Sequence, residues 1–446
     1  MDLLDKIFQA GIVGCGGAGF PTHVKLKAHP EYFIINGAEC EPLLRTDRYI
    51  MINLADKIVA GADAICENLN IPKAFIALKA HYHEERRALE KAIQKAGSKL
   101  QIHLMESFYP AGDEQVMVYE VTGKVVPPAG IPLDVGAVVD NVATVLAVAD
   151  AVLGQPFTYK YLTVTGEVAK PTVLHVPVGT SFKRCIELAG GALMDHYTIV
   201  SGGPMMGKYM SKEDGLKAHV TKTTSGILIL SDQSRTAAAH QVDVRHMLNR
   251  ARSACIQCSY CTQLCPRHLL GHPLKPHKIM RKMALCDHIS DLLDDTDIRQ
   301  AAICCECGIC EVYACPMGLQ PRTINGLLKG ELSRAGIRYE RTGDSWTPLD
   351  DRPYRKAPTD RTAARAGVLK YNDYEICQCI EDHPKDVEIP LKMNIGAPSV
   401  PVVSSGDYVS TGQLIAKCPE GKLGANICAS IDGIVRLTDH SVIISG

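Results

Sequence analysis

Cys255-Ile-Gln-Cys258-Ser-Tyr-Cys261-Thr-Gln-Leu-Cys265-Pro266, followed further along by Cys304-Cys305-Glu-Cys307-Gly-Ile-Cys310-Glu-Val-Tyr-Ala-Cys315-Pro316, decides how this chain is read. Three thiolates at three-residue spacing can wrap one iron–sulfur cube from a single loop. A distal cysteine followed by proline then ligates the cube of the other loop, as in two-cluster ferredoxins. On that spacing Cys255, Cys258, Cys261 and Cys315 hold one [4Fe–4S] cluster. Cys304, Cys307, Cys310 and Cys265 hold the other. A pair of zinc sites is the alternative chemistry for Cys-x-x-Cys pairs. Eight thiolates with two Cys-Pro ends fit the iron–sulfur arrangement better. Cys305 adjoins Cys304, so either could be the first ligand of the second loop; Cys304 restores the two-residue gap to Cys307. Four residues, not three, separate Cys310 from Cys315.

Bulk properties bound the rest. The 446 residues suffice for roughly three or four domains. Apolar residues make up 46% of the chain and the formal charge is −1, with no long basic run. That argues against nucleic acid or an anionic membrane as the main partner. Half of the 18 cysteines gather in two loops at metal-ligand spacing and no secretory signal precedes them, which reads as a reducing cytoplasm. Val138 to Leu153, the most apolar region, is broken by Asp140, Asn141 and Asp150, so no membrane span is expected.

Near the start, Leu3 to Ala10 has a helical pattern. Gly11-Ile-Val-Gly14-Cys15-Gly16-Gly17-Ala-Gly19-Phe20-Pro21-Thr22 follows. Such a glycine cluster lets backbone N–H groups approach a phosphate ahead of a helix. Alone it is equally a bare turn. Three further stretches follow in order: Asn36-Gly-Ala-Glu39-Cys-Glu41-Pro42, Tyr109-Pro-Ala-Gly112-Asp113-Glu114-Gln115 and Asp140-Asn141-Val-Ala-Thr144.

Together with Lys25, these stretches resemble the RnfC-like family of flavin and iron–sulfur proteins. That family includes the cobalamin reductases of propanediol-utilisation microcompartments, and is related to the NADH-binding flavin subunit of respiratory complex I. The resemblance implies roles residue by residue. Gly14, Gly16, Gly17 and Gly19 would hold the FMN phosphate and the approach of NADH. Lys25 would neutralise flavin or nucleotide charge. Asn36, Glu39, Tyr109, Gly112, Asn141 and Thr144 would line the FMN site. Phe20 would stack on the dinucleotide, and the catalytic candidates Glu41 and Glu114 would meet its ribose or nicotinamide. For each residue alone the plain alternative is a solvated carboxylate or a core aromatic.

The remaining chain completes a multidomain α/β and α+β architecture. A Rossmann-like FMN and NADH domain is expected over 1–155 and a β-grasp (SLBB) domain over 156–235. The latter rests on the alternating strand from Tyr161, a helix over Ser181 to Ala189, strands at His196 to Val200 and Thr224 to Leu230, and the family's Gly202-Gly-Pro-Met-Met-Gly207 loop. A helical two-cluster ferredoxin-type domain follows over 236–336, with helices expected over Gln241 to Ala254, His268 to Met283, Ile289 to Ala302 and Thr323 to Ala335. Its histidines read as solvated or capping, since cysteines already satisfy both clusters. The polar, proline-bearing stretch 337–385 reads as a linker or arm. Its Cys377-Gln-Cys379, near His383, reads as surface thiols, with a third metal site the alternative. Short strands punctuated by Gly and Asp over 386–446 suggest a β-sandwich. That segment resembles the barrel-sandwich hybrid of lipoyl and biotinyl carriers, without their modified-lysine hairpin, so packing or partner docking is its expected role.

The resemblance implies electron transfer from NADH through FMN and two clusters to cobalamin, free or on a corrinoid-dependent partner enzyme. It implies a cytoplasmic protein inside or on a bacterial microcompartment, with a shell protein as a possible partner. Two other readings remain: an RnfC-like subunit of a ferredoxin–NAD oxidoreductase, and a non-catalytic electron relay or scaffold. The sandwich comes last here, an order that resembles the cobalamin reductases more than the RnfC subunits.

Overall fold

The computed structural model describes residues 2–374 and 378–446. Cys377, paired above with Cys379, lies outside the described residues. Tyr32–Asn36 is a short apolar strand at the middle of a four-stranded parallel sheet. It pairs with Lys73–Lys79 on one side and with Ala137–Asn141 on the other, and Gln101–Met105 extends the far edge. Successive side chains leave a strand on opposite faces. Phe33 and Ile35 therefore join Ile58, Val59, Val145 and Val148 on one face. Ile34 joins Val116 and Met117 on the other. The helices Ala55–Leu69 and Val142–Val152 thus cover one side, and Glu114–Thr122 the other. This is the sandwiched parallel sheet the apolar runs require.

The second unit is a six-stranded mixed sheet built around Tyr159–Gly166, with Thr172–Pro177 and Gly226–Ser231 beside it. Helix Phe182–Leu188, capped by Ser181, packs on it through Phe182, Cys185 and Ile186. Strands Tyr197–Ser201 and Lys208–Met210 complete one edge.

The cysteine-rich unit is helical. Val244–Ala254 and Pro321–Arg334 match the expected helices within a few residues. The single helix expected over His268 to Met283 is not formed. Pro266–Leu269 and Pro276–Leu285 are separate helices, because Pro273 and Pro276 cannot donate within a continuous helix and Gly271 turns the chain at φ +87°. Ile289 to Ala302 is likewise broken into short turns, Ile289–Leu292 and Thr296–Arg299 among them.

The described residues between 337 and 385 contact several of the other units. Ala357–Pro358 pairs with Phe108–Tyr109 of the flavin-type domain. Helix Thr359–Ala366 buries Thr362, Ala363 and Ala366, and Cys379–Glu381 adds a strand to the mixed sheet beside Thr172–Pro177. The C-terminal unit is a small sandwich. Asp386–Pro390, Ser441–Ser445, Gly433–Leu437 and Tyr408–Val409 form one sheet, and Val400–Pro401, Leu414–Lys417 and Ile427–Cys428 the other. Ile389, Ile415, Val435 and Ile444 lie in its core. Among the described residues no helix is long and apolar enough to cross a membrane.

Lys222 fastens three of these units. Its buried ammonium donates to Gly11 O at 2.6 Å and Asn426 O at 2.7 Å. Burial lowers its pKa to about 8.

Candidate functional site

The first group of candidate residues lies at the carboxyl ends of the parallel strands, where open α/β sheets bind ligands. Asn36 and Asn141 end neighbouring strands in register. Asn141 caps helix Val142–Val152 by accepting from Ala143 N at 2.9 Å, and its Nδ2 donates to Asp47 at 2.7 Å. Asn36 Oδ1 accepts from Ala38 N at 3.1 Å and its Nδ2 donates to Gly112 O at 2.9 Å, joining the second and third stretches. The glycine loop folds back on itself through Gly14 N to Phe20 O at 2.9 Å. Behind it, Cys15 N donates to Thr144 Oγ1 at 3.0 Å. A Cβ on Gly16 would meet the Asn141 side chain at 2.9 Å, so the close approach needs glycine. Gly16, Gly17, Ala18 and Phe20 are exposed, and nothing lies within 4 Å of a Cβ placed on Gly17.

Lys25 reaches the carboxyl end of strand Ala137–Asn141. Its ammonium bonds Glu114 at 2.8 Å and the carbonyl of Val139, with Asp140 at 3.5 Å. Burial works against the ammonium, but Asp140 and Glu114 outweigh it and raise its pKa. Glu39 accepts from Asp47 N at 3.0 Å and Arg48 N at 3.3 Å, the start of helix Thr46–Asn53. Burial, then the nearby Asp47, push its carboxyl up to about 7. An open loop of backbone N–H groups, a cation at the neighbouring strand end and amide side chains at the strand ends suit a phosphate-bearing planar cofactor.

Glu41 and Tyr109 are placed differently from that group. The Glu41 carboxylate turns to the mixed sheet's glycine-rich loop and accepts from Met205 N at 2.8 Å. A Cβ on Gly203 would collide with it, which explains a glycine there. Burial raises the Glu41 carboxyl to about 7. Tyr109 Oη donates to Cys307 O at 2.7 Å and lies 3.4 Å from Glu41. The sequence marked both residues as part of the nucleotide site. The structure makes them the contact between that site and the second cysteine loop.

The cysteines converge on two cavities. Cys255, Cys258, Cys261 and Cys315 line one, and Cys265, Cys304, Cys305, Cys307 and Cys310 line the other. Each loop therefore sends its distal cysteine across to the other. Such sets of thiols fit iron–sulfur cubes. Cys304 Sγ accepts from Glu306 N at 3.4 Å and Asn325 Nδ2 at 3.6 Å, and Cys315 Sγ from Leu319 N at 3.3 Å. The extra residue between Cys310 and Cys315 is absorbed by a π-helical turn, Ile309–Ala314.

Arg267, beside Cys265, was not marked by the sequence reading. It binds Asp113 through two hydrogen bonds of 2.6 and 2.9 Å. Burial alone would raise the Asp113 carboxyl, but Arg267 outweighs it and holds the group below its usual value. His272 Nε2 adds a 2.8 Å contact to Val126 O. The first-domain motif around Tyr109–Asp113 is thus held directly against the inner cysteine cavity.

Four family models match this chain: the Nuo51 FMN-binding domain over residues 7–150, the SLBB domain over 161–209, a 4Fe-4S dicluster domain over 254–320 and the RnfC barrel sandwich hybrid domain over 373–446. Fold and site together define a flavin and iron–sulfur oxidoreductase of the RnfC-like class. The cobalamin reductase PduS of Salmonella typhimurium is 39% identical over 446 residues, covering 99% of this chain and 96% of that protein. PduS of Citrobacter freundii is 39% identical over 99% of this chain and 95% of its own. One component of the proton-translocating ferredoxin:NAD(+) oxidoreductase complex of Clostridium ljungdahlii is 40% identical, over 60% of this chain and 56% of its own. The chain belongs to the PduS cobalamin reductase family. Among solved structures, the NAD+-reducing [NiFe]-hydrogenase in its H2-reduced state has a TM-score of 0.50 at 22% identity, over 76% of this chain and 63% of that one, a likeness of fold alone.

Proposed function

We propose that this protein passes electrons from NADH, through FMN and two [4Fe–4S] clusters, to cobalamin or a corrinoid-dependent partner enzyme. FMN, when bound, supplies the conversion between a two-electron hydride donor and one-electron carriers. The chain's residues supply placement. Gly16 and Gly17 present backbone N–H groups to phosphate, Gly14 and Gly19 shape the loop that holds them, Lys25 offsets its charge, and Asn36, Glu39, Gly112, Asn141 and Thr144 fix the ring. Phe20, exposed at the loop's edge, offers a face for the dinucleotide, and Glu114, half-exposed beside Lys25, faces the same opening. Glu41 acts from behind, by positioning Tyr109 and the Gly202–Gly207 loop. Cys255, Cys258, Cys261 and Cys315 ligate one cluster, and Cys265, Cys304, Cys307 and Cys310 the other.

The observation that carries this reading is Tyr109, which belongs to the flavin motif yet touches the main chain of Cys307. Domains at 1–155, 156–235, 236–336 and 386–446, with an arm at 337–385, are the boundaries we adopt. Kinship with PduS supports a place inside or on a microcompartment, against a shell protein. The test is anaerobic. Reconstituted protein given NADH should bleach its flavin and reduce added cobalamin. Flavin that stays oxidised while dithionite still reduces the clusters would leave a relay without NADH oxidation.

A further inference from the structure

The two cysteine cavities differ in exposure. Cys265, Cys304, Cys307 and Cys310 are buried, whereas Cys255, Cys258 and Cys261 are half-exposed. Around this outer cavity Ile256 is 61%, Tyr260 47% and Met317 38% exposed. The inner cavity meets the flavin motif through Tyr109 and Arg267, so the outer one is the end of the path open to solvent.

One flank of the outer cavity is cationic. Arg250 Nη2 donates to Met317 O at 3.3 Å and Arg365 Nη2 donates to Cys315 O at 3.3 Å. Arg235 lies beside the end of helix Thr359–Ala366, which carries Arg365; a Cβ placed on Gly367 there would meet the Arg235 Cβ at 3.8 Å. Neighbouring Arg252 and Arg322 have carboxylates, Asp287 at 3.6 Å and Glu311 at 3.3 Å. Among the described residues Arg235, Arg250 and Arg365 have none. A groove lined by Arg235, His240 and Arg250 meets the outer cavity at Leu319. Its one carboxylate, Glu311, is buried and already taken by Arg322 and Thr323. The chain as a whole carries a formal charge of −1, so this positive flank is a local feature.

Guanidiniums gathered without carboxylates repel one another, and an incoming anionic surface relieves that repulsion. The exposed Ile256, Tyr260 and Met317 lie beside them, and a small anion on the arginines would leave these apolar groups uncovered. A protein with a mixed apolar and acidic surface covers both. Resting on the two-cluster reading, we propose that this face docks an acidic electron-carrier protein. The carrier's carboxylates meet Arg235, Arg250 and Arg365, and its redox centre faces Ile256 and Met317. Each encounter moves one electron from the centre held by Cys255, Cys258, Cys261 and Cys315 to the carrier's oxidised metal, with no bond made and no proton moved.

The test uses an acidic b-type cytochrome as probe and basic cytochrome c as its opposite, with the full-length reconstituted protein. Binding of the labelled acidic probe is followed by fluorescence anisotropy against salt. Reoxidation of dithionite-reduced protein by the same probe is followed by stopped flow. Wild-type protein should bind the acidic probe most tightly at low salt. The double variant R235E/R250E, which changes no cysteine and is compared only when it retains the wild-type iron content, should weaken binding by about tenfold or more and slow reoxidation in parallel. The same variant should react faster with basic cytochrome c. Adding R365E should extend the trend. Unchanged binding, or changed binding with unchanged reoxidation, would place the exit elsewhere and overturn the proposal. Loss of binding to sulfate at an ionic strength where chloride has no effect would overturn it in favour of a small-anion site. Failure of the two-cluster reading would appear separately, as wild-type protein without its eight irons.

Discussion

The hydroxyl of Tyr109 and the main-chain carbonyl of Cys307 lie 2.7 Å apart, within hydrogen-bond distance. The same hydroxyl lies 3.4 Å from a Glu41 carboxylate oxygen, a longer and weaker contact. Burial already holds that carboxyl up to about 7. Tyr109→Phe removes the link and leaves a buried carbonyl without its donor. The variant should lose about 1–3 kcal/mol of stability in chemical denaturation. It should keep its iron, and flavin-to-cluster electron transfer, followed by rapid mixing, should slow.

Arg267 and Asp113 form a buried pair with paired hydrogen bonds between the flavin-type and cluster domains. Arg267→Met leaves Asp113 charged without its partner. A loss of about 3–5 kcal/mol is expected, measured as a lower unfolding midpoint. Arg267→Lys should recover only part, because one ammonium cannot make the two-pronged contact.

Cysteine substitutions separate ligands from bystanders. Cys258→Ser should lower the iron content of anaerobically reconstituted protein from about eight to about four. Cys286→Ser should leave it unchanged, since Cys286 bonds His288 O at 2.8 Å and lines neither cavity. Equal loss in both variants would reject the ligand assignment.

Lys25→Met tests the flavin pocket directly. Removing one charged donor costs about 1.5–3 kcal/mol, or about ten- to a hundredfold in affinity. Titration of the reconstituted variant with FMN, read by quenching of flavin fluorescence, should show a loss of that size.

Lys222 gives a pH dependence with a definite sign. Its pKa falls from 10.5 to about 8 on folding. Between these values the unfolded chain keeps a proton that the folded chain has released, so stability rises with pH across that window and is unaffected by this group below it. The unfolding free energy of wild-type protein minus that of Lys222→Met should therefore grow between pH 8 and pH 10. A flat difference would mean that Lys222 is not buried as an ammonium.

The cluster cysteines were legible because ligand spacing is a local property of the chain. The cap that Asn141 places on its helix is equally local, though the sequence reading gave the residue only a role at the flavin. The contact of Glu41 with Met205 was not legible, since Met205 is distant in sequence and no short pattern announces it. Arg267, Arg322 and Lys222 were missed for the same reason; a charged residue next to a Cys-Pro was the available signal for Arg267, and Lys222 sits among threonines with no such signal. The helix expected over His268 to Met283 failed because its apolar spacing outweighed Pro273 and Pro276 in the reading, while backbone donors decide in the fold.

The glycine loop is completed by residues that lie far downstream. Ile395 N donates to Gly19 O at 3.2 Å, and Asn426 O receives Lys222. During synthesis the first domain therefore leaves the ribosome long before its own lining is whole. The cysteine loops emerge earlier than the sandwich that buttresses the flavin end. The glycine loop therefore gains its last backbone partner only once the C-terminal segment has folded against it.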